Sequence, residues 1–460
     1  MIELSSDAIT IAEMINGKLF GAGCKIKAVS IDSRENSEKP WCFFAIKGQN
    51  FNGADYAEEA VKNGAVLVIA QEKIETSTTV IYVENVVKAL GLLAKKMKRS
   101  TKVIAVTGSN GKTTVKDMII SVLREKYSVC GTVENQNNEV GVPLTLLSVK
   151  DEDFCVIEMG MRGHGEIDWL SYISEPDSCV ITNCGTAHIG RLGSKKQIFL
   201  AKVEILKHTK KYAFLPNEIR FKQLKSENVE KIYIDKKIKN TSTDFKNARI
   251  EFYASKNCTC RVDSIYEHDA RNGLIAYKIG KSYGMSDVEI CNGLQKYKKP
   301  KMRGEMLKIK GIEIISDCYN ASYESVEGAL KSLSKRCKAE SKHFCVLLGD
   351  VLELGESAQK THLKIGKLCK KYRVEKLFAY GKNSKYLILG YGNGTQLENF
   401  DLIAEDVFSN LNEKCILLIK ASNGMNFNEI VEKMKEINNV ERKDIFNNPD
   451  NNICNNLDSY

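Results

Sequence analysis

The chain has 460 residues, 43% of them hydrophobic and 27% charged, values ordinary for a globular protein but too long a chain for one core, so two to four domains are expected. No apolar run approaches a membrane span and the first residues lack a basic-then-apolar signal, so a cytoplasmic protein without membrane insertion is expected. The net charge of +10 is spread through Lys-rich segments without interleaved aromatics, which argues against a nucleic-acid partner, and the fifteen cysteines are scattered, with Cys258-x-Cys260 the closest pair, so neither zinc nor a disulfide is assigned.

In chain order, Ser5 to Ile15 reads as a helix capped by Ser6 or Asp7. Short strands follow at Val29–Arg34, Cys42–Gly48 and Ala65–Ala70, with a helix opening at Gly53 between the last two. Ser30, Asp32, Ser33 and Arg34 suit either a plain turn or contacts to a diphosphate or sugar. A helix end at Leu90–Arg99, closed by lysines and an arginine, marks a boundary.

Then comes Val103-Ile-Ala-Val106, a buried parallel strand by its β-branched character, followed by Thr107-Gly108-Ser109-Asn110-Gly111-Lys112-Thr113-Thr114 and a helical apolar pattern from Val115 to Leu123. Strand, glycine loop and helix form a phosphate cradle: glycines let backbone N–H groups close on an anion, and the helix N-terminus adds positive potential. Lys112 would reach the outer phosphates and Thr113 would hold Mg²⁺. Asn135 to Thr145 suits a loop lining a polar site. Phe154–Glu158 is a strand ending in a carboxylate, where a Mg²⁺ ligand belongs beside a phosphate loop. His188, just past the strand Pro176–Asn183, suits a catalytic or metal role as well as a structural one. Gly193–Leu206 reads as a helix, with Lys202 a surface lysine on composition alone. Residues 216–256 are polar and read as short strands or a variable insertion, and Arg271–Gly280 restores a helix.

After a loop at Lys298–Gly304, strands at Ile312–Asp317, Phe344–Asp350, Lys376–Gly381 and Cys415–Lys420 alternate with helices, with Gly and Asp at their carboxyl ends. That pattern predicts a doubly wound parallel sheet. From 441 onward the Asn/Asp-rich chain reads as a disordered tail.

Taken together, these motifs resemble the cytoplasmic Mur ligases of peptidoglycan synthesis over nearly the whole chain to about 440. The phosphate loop, Asn135-x-Asn137-Asn138 with Gly141-Val-Pro143, Glu158-Met-Gly160, Ala187-His188, Ala201-Lys202-x-Glu204, His268 with Asn272, Met302-Arg303, Asp317-x-Tyr-Asn320-Ala321 and Leu348-Gly-Asp350-x-Leu-Glu353 carry the likeness, with Asp32-Ser33-Arg34 in the first part. The Asp-Asn-Pro-Arg motif of the member that adds the third amino acid is missing. The resemblance therefore implies addition of D-alanyl-D-alanine to UDP-MurNAc-tripeptide, with ATP as the energy source and an acyl phosphate between.

The resemblance implies an α/β chain of three domains: a small mixed one at 1–99 for the UDP-sugar, a central P-loop-type ATPase domain at 100–301 with a mostly parallel sheet, and a Rossmann-like one at 302–440. It implies two Mg²⁺ ions, the first on Thr113 and Glu158, the second on His188 and on Lys202 in carbamylated form. Catalytic roles fall to Lys112, Lys202, His188 and Arg303. Asn272 would contact adenine and Asp317 the ribose. Ser33 and Arg34 would meet the diphosphate, and Asn137, Asn138, Asn320, Asp350 and Glu353 the substrates. A monomer is expected. The chain departs from the family at Ser322-Tyr323 (usually Asn-Pro), at Asn423 (usually Arg), at Ile189-Gly190 (usually Leu-Glu), and in a shorter segment after Asn217.

Overall fold

The computed structural model describes residues 1–224, 229–235, 238 and 241–447. The polar stretch at 216–256 is therefore described only in part. Three six-stranded sheets and one three-stranded sheet follow one another along the chain.

The first sheet holds the strands Lys25–Ser30, Trp41–Phe44, Ala65–Ala70 and Thr79–Tyr82 in parallel, with Ile2–Asp7 and Lys18–Phe20 as antiparallel edges. The edge strand Ile2–Asp7 takes the start of the segment expected to be helical. Asp7 then caps the helix Ala8–Met14, its carboxylate accepting from Thr10 N at 2.9 Å. The helix Val86–Lys96 packs the first unit onto the second. A Cβ on its Gly91 would lie 2.7 Å from the Trp169 ring, so glycine is needed there for close approach.

The second sheet is wholly parallel. Its order is Glu230–Ile234, Tyr212–Pro216, Ser178–Ile181, Lys102–Thr107, Phe154–Glu158 and Val129–Gly131. The chain leaves Lys102–Thr107 towards one side and later returns on the other at Ser178–Ile181. Their shared carboxyl edge is thus a switch point, the crevice where such sheets bind ligands. The three-stranded hairpin sheet 242–263 lies on one flank.

The last sheet runs Glu305–Ile309, Ile312–Ser316, Cys415–Lys420, His343–Leu348, Lys376–Tyr380 and Thr395–Leu397, parallel except for its first strand. Near-continuous apolar burial in Cys415–Lys420 and His343–Leu348 reflects helices on both faces. The α/β class and the doubly wound sheet agree with the sequence pattern. Besides the start of the first helix, two local readings do not. Gly141–Leu147 is a helix where a loop is expected, because Asn138 Oδ1 accepts from Gly141 N at 2.9 Å and starts it. The final helix runs Phe427–Asn447, past residue 441, while the rest of the expected tail, 448–460, lies outside the described residues.

Candidate active site

The phosphate loop starts where the strand Lys102–Thr107 ends. Gly108 has φ +152°, and a Cβ there would stand 1.8 Å from Thr182 Oγ1. Gly111, at φ +78°, precedes the helix Lys112–Leu123. Only glycine meets both demands without strain. The neighbouring strand end pins the loop: Ser109 N donates to Asn183 O (3.1 Å), Asn110 N to Asn183 Oδ1 (3.1 Å), and Thr182 Oγ1 to Asn110 O (2.6 Å). The first-turn N–H groups of the helix lack intrahelical partners, so the loop presents donors and a dipole to an anion. Lys112 Nζ donates to Gly108 O at 3.1 Å. Burial pushes its ammonium below the ordinary value, Glu158 works against that, and Arg303 adds to it.

Glu158 ends the adjacent strand, in register with Val106, and is 2% exposed. Its Oε2 accepts from Thr113 Oγ1 and its Oε1 from Asn137 Nδ2, both at 2.7 Å. Arg303 Nη2 donates to the same Thr113 hydroxyl at 3.0 Å, while its guanidinium lies 3.8 Å from the centre of the Tyr319 ring. A buried carboxylate and a hydroxyl beside a phosphate cradle are hard oxygen donors of the kind Mg²⁺ takes.

His188 has φ +63°, a strained left-handed conformation for a residue with a side chain. Its Nδ1 lies 2.6 Å from Glu353 Oε2, an ion-pair distance without hydrogen-bond alignment. Burial pushes the imidazole below its usual value; Glu353 opposes this, and Lys112 and Lys202 reinforce it. A neutral imidazole is the metal-ligating form. Lys202, on the helix Lys195–Val203, is 1% exposed, and its ammonium makes no hydrogen bond or ion pair among the described residues. Burial, and then Lys112, bring its ammonium down to about 7. The surface position that composition suggests is wrong: the helix turns this residue inward.

On the other flank, Asn272 stands beside Gly111 and donates from Nδ2 to Asp269 Oδ1 at 2.9 Å. The Tyr266 and His268 rings stack at 5.2 Å nearby. Asp317, just past the strand Ile312–Ser316, receives Lys420 Nζ at 2.8 Å. The same ammonium donates to the carbonyls of Asp317 (3.2 Å) and Asn320 (3.0 Å).

One cavity of about 1570 Å³ gathers Ser109 to Thr114, Asn137, Asn138, Glu158, His188, Asn272, Arg303, Asp317 and Asn320. Thr107 sits beneath the loop, its hydroxyl donating to Met159 O at 2.9 Å. Glu353 reaches the site through His188. Ser33 and Arg34 are not brought to the cavity, although Ile31 lines it. Ser33 Oγ donates to Glu59 at 2.5 Å, and the exposed Arg34 pairs with Asp32 at 2.7 Å. Asp350 is buried and accepts from Asn383 N at 3.1 Å, so it braces a loop behind the site.

Two residues of the site carry no assignment from sequence. Lys420 ends an apolar strand with a charge, which is the one signal that could have pointed to it. Ser322 caps the helix Tyr323–Glu340 and also donates to Asn110 Oδ1 at 2.9 Å, joining the last sheet's unit to the phosphate loop. Gly190, where the family usually carries Glu, donates from N to Glu353 O at 3.0 Å, and a Cβ there would stand 2.5 Å from Gly355 N. Two departures from the family pattern are thus contacts between the central and C-terminal units. Asn423 lines the cavity.

A switch-point phosphate loop with a buried carboxylate, a half-buried histidine and a buried lysine beside it defines a nucleotide-dependent α/β enzyme. The chain belongs to the Mur ligase family: its middle-domain model matches residues 106–279, its glutamate ligase domain model 302–423 and its catalytic-domain model 25–104. The chain is 32% identical over 450 residues to the UDP-N-acetylmuramoyl-tripeptide–D-alanyl-D-alanine ligase of Bacillus subtilis (strain 168), covering 93% of this chain and 97% of that one. It is 28% identical to the ligase of the same name from Escherichia coli (strain K12), over 95% and 99% of the two chains. In fold it is similar to a crystal structure of MurF from Acinetobacter baumannii, with a TM-score of 0.86, 23% identity and coverage of 95% and 100%. A MurF ligase structure from Thermotoga maritima, in complex with ADP, gives a TM-score of 0.80 at 24% identity, over 89% and 97%.

Proposed function

We infer that the chain is an ATP-dependent carboxylate–amine ligase that joins D-alanyl-D-alanine to UDP-MurNAc-tripeptide, a step in making peptidoglycan precursor. The full-length likeness to ligases of that name supports the substrates. The observation that carries the chemistry is the Glu158–Thr113–Arg303 chain set against Lys112 at a helix N-terminus. The tripeptide carboxylate attacks the γ-phosphorus, the bond to the β-phosphate oxygen breaks, and ADP leaves. The dipeptide amine then attacks the acyl carbon, sheds a proton, and phosphate departs. Charge builds on phosphoryl oxygens in both steps, so the work is positioning and electrostatics.

Lys112 and the loop N–H groups would bind the outer phosphates, and Arg303, held at the Thr113 hydroxyl, would add a second positive charge to the transferring group. Tyr319 keeps that guanidinium oriented through its ring face. Asn272 and Asp317 would bind adenine and ribose. Thr113 and Glu158 would hold one Mg²⁺, and His188 with carbamylated Lys202 a second; these ions neutralise phosphoryl charge when bound. Lys202 suits carbamylation because an amine lowered to about 7 is about half free base at neutral pH and can add CO₂ with loss of a proton. Asn137, Asn138 and Asn320 would contact the substrates, and Ser33 with Arg34 the diphosphate of the UDP-sugar. Among the described residues no helix is long and apolar enough to cross a membrane. A cytoplasmic location and a monomeric state belong to the proposal.

A product assay tests this reading. With UDP-MurNAc-tripeptide, D-Ala-D-Ala and ATP, the pentapeptide mass is expected together with phosphate, and phosphate release needs both substrates. Steady ADP formation with neither substrate, and no pentapeptide, would overturn it.

A further inference from the structure

Sequence spacing leaves Cys258 and Cys260 as an isolated pair, but the fold adds a third sulfur. Both cysteines lie on the strand Cys258–Asp263, two residues apart, and so project to the same face. That face meets the helix Asp287–Lys296, where Cys291 points back at them. The Sγ–Sγ separations are 3.8 Å (Cys258–Cys260), 3.6 Å (Cys258–Cys291) and 2.9 Å (Cys260–Cys291). Cys258 and Cys260 are buried, and Cys291 is half-buried and open to entry from solvent. None of the three lines the active-site cavity.

We propose that Cys258, Cys260 and Cys291 form a three-thiolate site for one thiophilic closed-shell cation, Zn²⁺ or Cu⁺. Thiolates about 2.3 Å from a shared tetrahedral ion stand about 3.8 Å apart, which two of the three separations already match. The third pair has only to open by about 1 Å, and Cys291 sits on the rim where it can move. Thr259 O, 3.7 Å from Cys291 Sγ, or a water completes the coordination. Soft sulfur donors select these cations over Mg²⁺, so the site does not compete for the ion of the phosphate cradle. Binding forms three metal–sulfur bonds and releases up to three thiol protons to solvent; no electrons move. Burial keeps the Cys260 thiol protonated until a cation displaces the proton.

The site has a mechanical consequence. The helix carrying Cys291 also presses on the phosphate-loop helix. Ser121 Oγ donates to Gly293 O at 2.7 Å, and a Cβ on Gly293 would stand 2.5 Å from Val122 Cα. A cation on the three sulfurs therefore ties the hairpin to the helix that backs the nucleotide loop, and acts as a structural staple.

The test uses the full chain, reduced and handled without oxygen, titrated with Zn²⁺ and separately with Cu⁺ and followed by native mass spectrometry. One ion per chain is expected in each titration, with a rise in the thermal midpoint. Cys291→Ser is expected to weaken binding at least tenfold and to abolish the rise, while Cys179→Ser, which removes a buried cysteine on a different strand, leaves both unchanged. Far-UV circular dichroism without metal checks that each variant is folded. Equal binding by the natural chain and a folded Cys258/Cys260/Cys291→Ser triple variant overturns the proposal. So does a reduced chain that takes up no ion in either titration and, in a separate sample exposed to air with O₂ as the oxidant, becomes two mass units lighter through a Cys260–Cys291 disulfide.

Discussion

Lys420 lines the crevice and Lys202 lies buried outside that lining, near enough to Lys112 to feel its charge; both are lysines at the ends of elements, and they are built for opposite purposes. Lys420 Nζ faces three oxygens, the carboxylate and carbonyl of Asp317 and the carbonyl of Asn320. Its charge is compensated, so it is a fixed cation that holds a loop in place. Lys202 has no such partner, and burial next to Lys112 makes its proton easy to lose. Equal burial thus has no functional meaning until the partners are counted: a paired ammonium is structural, an unpaired one is a nucleophile in waiting.

The comparison can be broken by exchanging each lysine for methionine. Lys202→Met is expected to cost about 10²–10³-fold in kcat with the KM for ATP nearly unchanged, because it removes a group that acts on the developing charge. Steady-state phosphate release measures this, and a variant with full kcat would make Lys202 ordinary packing. Lys420→Met is expected to act the other way, raising the KM for ATP about tenfold, or about 1.4 kcal/mol, as Asp317 and Asn320 lose their anchor.

Stability against pH sharpens the contrast further. In CO₂-free buffer and below about pH 7, Lys202 carries its proton in both the folded and the unfolded chain, and the burial penalty is present in full. Between about 7 and the ordinary value of 10.5 the folded chain has lost that proton while the unfolded chain keeps it, so this residue's contribution to stability rises with pH. Lys202→Met is therefore expected to raise the thermal midpoint more at pH 6 than at pH 8.5. A gap independent of pH would contradict the assignment. The smallest effect is expected for Ser322→Ala, which removes a helix cap and the tie to Asn110, at about 1 kcal/mol by denaturant unfolding.

The sequence made the phosphate loop, Glu158 and the parallel sheet legible because each rests on local chemistry: glycines before a helix, an acid at a strand end, β-branched runs. Lys202 was legible only through family likeness. Its inward direction depends on how the helix Lys195–Val203 is rotated against the sheet, and that helix has no marked apolar stripe to announce it. Lys420, Ser322 and Gly190 were opaque for another reason. Each matters through a contact more than a hundred residues away, and local pattern carries no record of such pairings. The third cysteine at 291 was missed in the same way, since helix and hairpin meet only in the fold.

The central claim is that this crevice passes a phosphoryl group to a carboxylate before an amide forms. The direct measurement uses UDP-MurNAc-tripeptide whose terminal carboxylate carries heavy oxygen, with ATP and D-Ala-D-Ala. The account predicts one heavy oxygen transferred to each phosphate released, and the other retained in the new amide. Phosphate that carries only light oxygen, with pentapeptide formed, would contradict it.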